Sequence, residues 1–502
     1  MGENVIFNQN TGQPDSTQPP VEDLQPQPGV AEGAPPASEP PPAYEGGYDA
    51  SDTPPPPSGI AAILANGLVK KILIGLGILI VIIIIISLLI PKKPAAKEVT
   101  LVWWGLWEDK ATMQPLIDEF QKQNPNIKIE YTKQDPNSYH DTLLARMNKG
   151  TAPDIFRFHN TWVPAIAGIL APLPSDVISA EDFKKIYYPV IQKDLNQNGA
   201  IYGIPLGVDS LAMFVNTDLL KAAGVSVPKD WNQFIDAAKK MTVKDKDTSK
   251  IKTSGAGLGA YGNIIHAPDI VSVMFLQQGV DQRKIDTSSE DLNSSLTFYT
   301  SFARGNNATW DNSLDSSLDN SQLVFARGEM AIYFGFSWDI FAIEQLKANK
   351  KLNYEIHPVP GLAGGKSITV ASYWVEGVSA KSPNQKEAML FMKYLTQKET
   401  LQKLYTETSK TRLFGEPYPR TDMADQLKNN PMVYPFISQL ENADSSFFAS
   451  NTFDGDTGLN KRVNTYLENA INAIVKDNSS PDSQVPSLQA GVKKVLLENG
   501  IQ

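Results

Sequence analysis

A run of 19 consecutive residues without a charged side chain, from Ile72 to Ile90, constrains this chain more than any other feature. Most of these residues are Ile or Leu. At about 1.5 Å per residue, a helix of this length is about 28 Å long, which matches the hydrocarbon thickness of a bilayer. A buried core helix would keep a polar face over several turns, and this run has none. We therefore predict one transmembrane helix over residues 68–91, which contacts the lipid bilayer from Ile72 to Ile90.

The apolar run does not fit a cleaved signal peptide, because it is too long, lies too far from the N-terminus and lacks a following A-x-A site. The chain also contains no cysteine. This excludes disulfides, thiolate zinc sites, cysteine nucleophiles and a lipid attached through an N-terminal cysteine. Membrane attachment must therefore come from the apolar run itself.

The segment ahead of the run is acidic and rich in proline. Its first 58 residues hold nine acids, no Lys or Arg, and 14 of the 36 prolines. Such a segment cannot bury enough apolar surface to offset its ordering entropy, so we predict a disordered tail over residues 1–59. Of the 55 acids, 46 remain for the rest of the chain against 45 bases. Without a concentrated basic patch, we expect no nucleic-acid partner.

Short apolar strands alternate with amphipathic helices after a predicted linker at 92–98. The predicted strands are 99–104, 127–131 and 155–158, and the predicted helices between them are 113–124 and 139–149. This alternation predicts an α/β layer with parallel strands, within a domain that covers 99–502.

Seven sequence blocks in this domain, from about 99 to about 405, resemble extracellular solute-binding proteins of ABC importers of the maltose-binding-protein-like type. One block alone would be weak, whereas seven in the family's order are strong together. The blocks are VTLVWW at 99–104, LIDEF to NPNI at 116–127, GTAPDI at 150–155, YGIP to FVNTDL at 202–219, AGV to PKDW at 223–231, FARGEMA at 325–331 and SAKSPNQ at 379–385.

The resemblance implies a type II periplasmic-binding-protein fold, with two α/β lobes that close on a ligand about a hinge. The implied crossings between the lobes lie at 207–212 and 369–374. The implied lobes are 99–208 with 372–405, and 209–371 with 406–502.

Orientation in the membrane follows from the resemblance and not from charge. Lys70 and Lys71 precede the apolar run, and Lys92, Lys93 and Lys97 follow it, which slightly favours a cytoplasmic C-terminal side. A long domain can be exported against so small a bias. We therefore expect a single-pass membrane protein with an extracellular binding domain and a cytoplasmic tail, which delivers a small solute to an ABC permease.

Aromatic residues stand where loops would leave the predicted strands. Aromatic rings stack on the C–H faces of sugars, while nearby amides and carboxylates bind hydroxyl groups, so a carbohydrate is favoured and a peptide is possible. Trp103 and Trp231 are predicted to be core residues. The candidate ligand-binding residues are Trp104, Trp107, Glu108, His159, Asn160, Trp162, Asp209, Trp338, Tyr373 and Trp374.

Two other functions stay open. A surface sensor or adhesin would use the same binding lobes without a permease. An extracellular glycoside hydrolase would need paired carboxylates, which a sequence does not exclude. The four histidines form no HExxH pattern, and no GxSxG is present, so we predict no catalytic residues, metal or cofactor.

Overall fold

The structure is a computed structural model. It describes residues 67–89, 97–311, 320–347, 351–365 and 367–501. The predicted tail and most of the predicted linker lie outside these residues. The chain divides after Lys92 into two compact units.

The first unit contributes one described helix, α1 (Gly67–Leu89). This helix is long and apolar enough to cross a membrane. Large side chains along it, such as Ile72, Leu79 and Ile84, are about half exposed. A core helix of a soluble protein would bury such residues, so the exposed apolar surface is that of a helix suited to lipid.

The second unit contains the remaining described helices and strands. Its helices are α2 (Lys110–Gln123), α3 (Pro136–Lys149), α4 (Val163–Ile166), α5 (Ala180–Ile186), α6 (Pro189–Leu195), α7 (Thr217–Ala223), α8 (Trp231–Met241), α9 (Ala267–Gln277), α10 (Ser289–Thr300), α11 (Ser321–Ala326), α12 (Asp339–Leu346), α13 (Gln385–Leu395), α14 (Lys398–Thr408), α15 (Tyr434–Ser438), α16 (Leu459–Val475) and α17 (Pro481–Glu498). Its strands are β1 (Val99–Gly105), β2 (Ile127–Lys133), β3 (Ile155–His159), β4 (Leu170–Ala171), β5 (Asn196–Gln197), β6 (Ala200–Ile201), β7 (Ile204–Pro205), β8 (Asp209–Ser210), β9 (Ala212–Asn216), β10 (Val243–Lys244), β11 (Ile251–Thr253), β12 (Ile332–Gly335), β13 (Tyr354–His357), β14 (Thr369–Ser372), β15 (Trp374–Ser379) and β16 (Ala443–Asp444).

The first sheet runs in the order β2-β1-β3-β15-β4, with β7 also paired to β15. β1 pairs in parallel with both β2 and β3, which confirms the predicted parallel α/β layer. β15 returns from much later in the chain and pairs antiparallel with β3. Along β2, Ile127, Ile129 and Tyr131 are buried while the residues between them are exposed, as expected for a strand with one face on the core. We call the elements packed around this sheet the first lobe.

The second sheet runs in the order β12-β9-β13, and both pairings are antiparallel. Every residue of β9 and β12 is buried. Trp231, at the start of α8, packs on Phe334 of β12 with ring centroids 6.1 Å apart. Its indole nitrogen donates to Gln277 at 2.7 Å, so Trp231 is a core residue, as predicted. We call the elements packed around this sheet the second lobe.

Two short strands pair between the lobes. β8 pairs antiparallel with β14, in a register that sets Ser210 opposite Ala371 and Asp209 opposite Ser372. β16 adds to the other side of β14 in parallel. The segments predicted to cross between the lobes are therefore hydrogen-bonded to each other, and their motion as a hinge stays a prediction.

The C-terminal helices divide between the two lobes. α13 packs on β1 and β15, and α14 packs on α2, so both belong to the first lobe. α16 and α17 pack on each other and on α10. α10 in turn contacts the second lobe through Phe298, whose ring lies 5.4 Å from that of Trp231.

Candidate functional site

The carboxyl ends of β1 and β3 bring most of the predicted site residues to one edge of the first sheet. Trp107 and Glu108 follow β1, and Asn160 and Trp162 follow β3. The register of β15 on β3 sets Trp374 opposite His159. Neighbouring parallel strands end at the same edge of a sheet, which is where α/β folds place ligands.

Gly105, at the end of β1, allows this edge to form. A Cβ atom at this position would lie 2.2 Å from the hydroxyl oxygen of Tyr131. That hydroxyl donates to the backbone oxygen of Glu108 at 2.7 Å. Because glycine leaves this space open, Tyr131 can fix the loop that carries Trp107 and Glu108.

Trp374 is the centre of an aromatic group at this edge. Its ring contacts His159 at 5.1 Å, Trp107 at 5.4 Å and Trp162 at 5.6 Å between centroids. Phe453, which the sequence analysis missed, contacts both Trp107 and Trp374, at 5.5 and 6.5 Å. Trp107, Trp374 and Phe453 are only partly buried, so their rings present accessible apolar surface.

Trp104, Trp162 and Tyr373 are buried. Trp104 contacts Tyr139 of α3, at 6.4 Å between ring centroids, and Tyr139 lies at the same distance from Trp162. Trp103 is fully buried and donates to Glu376, which confirms the prediction that it is a core residue.

Arg157 holds Glu108 through a buried ion pair. Its Nη1 lies 2.6 Å from Glu108, and its Nε lies 2.6 Å from Glu376. Burial disfavours ionised carboxylates, but the Arg157 guanidinium outweighs that cost at Glu108 and holds its pKa below the usual range. At Glu376, burial wins and raises the pKa. Glu108 is therefore an ionised hydrogen-bond acceptor at this edge of the first sheet.

The side chains of His159 and Asn160 are bonded within the protein. His159 lies 2.8 Å from the Thr161 hydroxyl and 3.0 Å from the Ser372 hydroxyl of β14. Burial lowers the pKa of His159 to about 3, so the ring is neutral. Asn160 donates to Asp194 at 2.9 Å and accepts from the backbone of Tyr373 at 3.3 Å. These contacts join the end of β3 to the segment that crosses between the lobes.

Asp209 and Trp338 lie apart from the aromatic group. Asp209 accepts hydrogen bonds from the backbone and hydroxyl of Ser337, and burial raises its pKa to about 8. Trp338 stacks on Phe336, with centroids 4.3 Å apart and an angle of 12° between the planes. Both residues thus order the start of α12 in the second lobe.

Two open grooves meet at Arg412, which is also not among the site residues predicted from the sequence. The smaller, of about 90 Å³, is lined by Trp107, Glu108, Asp109, Thr112, Thr408, Thr411 and Arg412. The larger, of about 460 Å³, is lined by Phe341, Glu344, Thr411, Arg412 and Leu413. Since Trp107 belongs to the first lobe and Phe341 to α12 of the second, the two grooves together form a cleft between the lobes.

Arg412 is fixed in this cleft by three contacts. Its Nε donates to the backbone oxygen of Phe414 at 3.0 Å, and a terminal nitrogen pairs with Glu416. The guanidinium also lies over the ring of Phe341, 5.4 Å from its centroid. These contacts orient a planar donor beside the carboxylate of Glu108.

Comparison with known proteins identifies the family. A family model described as bacterial extracellular solute-binding protein matches residues 115–431, more than half of the chain. The chain is 23% identical over 371 residues to the multiple sugar-binding protein of Streptococcus mutans, which covers 69% of this chain and 83% of that protein. It is 26% identical over 336 residues to a lipoprotein of Streptomyces antibioticus, which covers 62% of this chain and 70% of that one.

Solved structures share the fold. The sugar-binding protein MalE of Xanthomonas citri matches with a TM-score of 0.64 and 19% identity, over 80% of this chain and 98% of that one. A solute-binding protein of Thermotoga lettingae bound with α-D-tagatose matches with a TM-score of 0.60 and 21% identity, over 80% of this chain and all of that one. With its two lobes and the cleft between them, this chain belongs to the bacterial extracellular solute-binding protein family.

Proposed function

We propose that this protein captures an uncharged carbohydrate outside the cell and delivers it to an ABC permease. The observation that carries the proposal is that Trp107, Glu108 and Arg412 line one groove. An indole face stacks on a sugar ring, a carboxylate accepts from hydroxyl groups, and a guanidinium donates to them. The relatives support this ligand class, since one is named as a sugar-binding protein and neighbouring structures hold tagatose or maltotetraose.

The charges in the cleft support an uncharged ligand. Each charged side chain that lines the two grooves already has a partner of opposite charge. The pairs are Glu108 with Arg157, Asp109 with Lys133, Glu344 with Lys347 and Arg412 with Glu416. An ionised ligand would have to compete with these pairs, whereas hydroxyl groups can add to them without separating charge.

Among the residues predicted from sequence, we assign ligand contact to Trp107, Glu108 and Trp374. His159, Asn160 and Asp209 instead use their polar atoms within the protein and position the strands around the cleft. Arg412, where the two grooves meet, and Phe341, on α12 of the second lobe, complete the proposed binding surface.

The proposed membrane arrangement is a single pass through α1, with the binding domain outside and the N-terminal tail in the cytoplasm. The length and apolar surface of α1 support the crossing, and the extracellular family supports the orientation. A tether of this kind would keep the receptor near its permease, as a lipid anchor does.

We expect maltotriose or a related neutral oligosaccharide to raise the melting temperature of the full chain in detergent. Bound ligand stabilises the folded state by about 2.7 kcal/mol at a hundredfold excess over Kd. Differential scanning fluorimetry would compare neutral sugars with trigalacturonate, which has a similar size but carries carboxylates, and with a tripeptide. Stabilisation by the tripeptide or the uronate alone would contradict the proposal.

Replacing Trp107 with alanine is expected to weaken binding of the stabilising sugar by about 2 kcal/mol, roughly thirtyfold, because the stacking face is lost. Calorimetric titration would measure this loss. Trp107→Phe keeps an aromatic face and should bind within about threefold of the wild type. If the alanine variant bound the sugar as tightly as the wild type, Trp107 would not be part of the binding site. If the variant failed to fold, Trp107 would be a core residue.

A further inference from the structure

Phe453 lies on a loop of the second lobe and contacts two tryptophans of the first. Its ring lies 5.5 Å from Trp107 and 6.5 Å from Trp374, and those two rings lie 5.4 Å from each other. The three rings form a closed triangle. We propose that Phe453 is an aromatic latch that holds the two lobes together.

The loop that carries Phe453 is fixed to the second lobe. The backbone nitrogen of Ser450 donates to Asp269 of α9 at 3.2 Å, and its hydroxyl lies 2.9 Å from His266. Ser272 of α9 donates to the backbone oxygen of Phe448 at 2.7 Å. The latch residue therefore moves with the second lobe.

The far side of the same loop is fixed by Asp454. Its carboxylate accepts from the backbone nitrogen of Asn460 at 2.6 Å, at the start of α16. Anions are favoured at helix N-termini, so this contact ends the loop in a defined position. Asn460 also accepts from Thr161 of the first lobe at 2.8 Å, which gives a second contact between the lobes beside the ring triangle.

The backbone of Phe453 is in a conformation that its side chain disfavours. Its φ is +51°, in the left-handed region that glycine adopts readily and bulky residues rarely adopt. A phenylalanine at such a position needs compensation from its contacts. Among the described residues, its contacts with other aromatic rings are those with Trp107 and Trp374, so the opposite lobe contributes to the compensation.

The latch predicts that the ligand-free protein opens when the ring is removed. The chain has no cysteine, so two spin labels can be placed cleanly, through Lys122→Cys on α2 of the first lobe and Lys240→Cys on α8 of the second. Both side chains are exposed. Electron–electron double resonance on the full chain in lipid nanodiscs would report the distance between the lobes without any ligand.

Phe453→Gly removes the ring and also relieves the backbone, so the variant should fold at least as well as the wild type. We expect its ratio of open to closed molecules to rise about fivefold to tenfold, as the loss of aromatic pairs implies. Phe453→Tyr keeps both the ring and the strained backbone and should give the wild-type distribution.

An unchanged distance distribution in Phe453→Gly would overturn the latch, as would equal opening in Phe453→Gly and Phe453→Tyr. A melting temperature measured on each variant separates opening of the cleft from unfolding. Because no sugar is added, failure of this test leaves the proposed carbohydrate function untouched, and failure to bind sugars leaves the latch untouched.

Discussion

Replacing Arg157 with methionine is expected to lower the free energy of unfolding by about 3–5 kcal/mol. Arg157 is 3% exposed and is ion-paired to both Glu108 and Glu376. Removing the guanidinium leaves two buried carboxylates without their ion-pair partner, and an unpaired charge in a protein interior is costly. Urea unfolding at neutral pH would measure the change.

The matched control is Arg462→Met, which removes an ion pair with Glu498 at the surface. Exposed pairs contribute less than about 1 kcal/mol, so this variant should unfold almost as the wild type does. Adding Glu108→Gln and Glu376→Gln to Arg157→Met should recover most of the lost stability, because the buried charges are removed together. A loss of about 1 kcal/mol or less in Arg157→Met would contradict the buried network.

The loss of stability in Arg157→Met, relative to the wild type, should be smallest at acidic pH. Protonation neutralises the two stranded carboxylates, and without Arg157 both groups take up protons at a higher pH than in the wild type. The difference in unfolding free energy between Arg157→Met and the wild type should therefore shrink as the pH falls towards 4.

His266 is expected to make the stability of the protein depend on pH in the neutral to alkaline range. Burial disfavours its cation, but Asp339, 2.7 Å away, and Asp269, 3.6 Å away, outweigh that cost and raise the pKa of His266 to about 10. Below the unfolded pKa near 6.5 both states are protonated, and the stabilisation is fully present. As the pH rises from 6.5 through 10 only the folded state holds the proton, so the stabilisation is lost.

His266→Gln should therefore have a free energy of unfolding several kcal/mol lower than that of the wild type at pH 6, since each pKa unit corresponds to about 1.4 kcal/mol. The difference should narrow steadily towards pH 10. His357→Gln is the control, because His357 lies at the edge of β13 and pairs with the exposed Glu355. A penalty for His266→Gln that is the same at both pH values would show that the ring is neutral in the folded protein.

His266 also shows how the site depends on contacts that a sequence does not display. The residue joins α12, through Asp339, to the loop that carries Phe453, through Ser450. Asp269 follows His266 by three residues, whereas Asp339 is distant from it in the sequence. The difference from the neutral His159 is set by these two carboxylates, and only the fold brings the nearer one, Asp339, to His266.

The strands could be predicted from the sequence, whereas the contacts around the candidate site could not. Apolar residues with a period of two gave β2, and buried runs gave β1 and β3, because these signals lie within a few neighbouring residues. The aromatic residues after β1 and β3 were predicted to contact ligand for the same reason, since a strand end is a local feature. Arg412 and Phe453 were missed, because neither follows a predicted strand and no local pattern marks them.

From the sequence alone it follows that one apolar run is long enough to span a bilayer, that no cysteine can replace it as an anchor, and that seven ordered blocks belong to a solute-binding family. These are properties of composition and of order along the chain. The folded structure adds that Trp374 and Phe453 meet at Trp107, that Arg412 and Glu108 line one groove, and that Arg157 neutralises that carboxylate. Such contacts join residues far apart in the chain, so their geometry and charge balance exist only after the two lobes have packed.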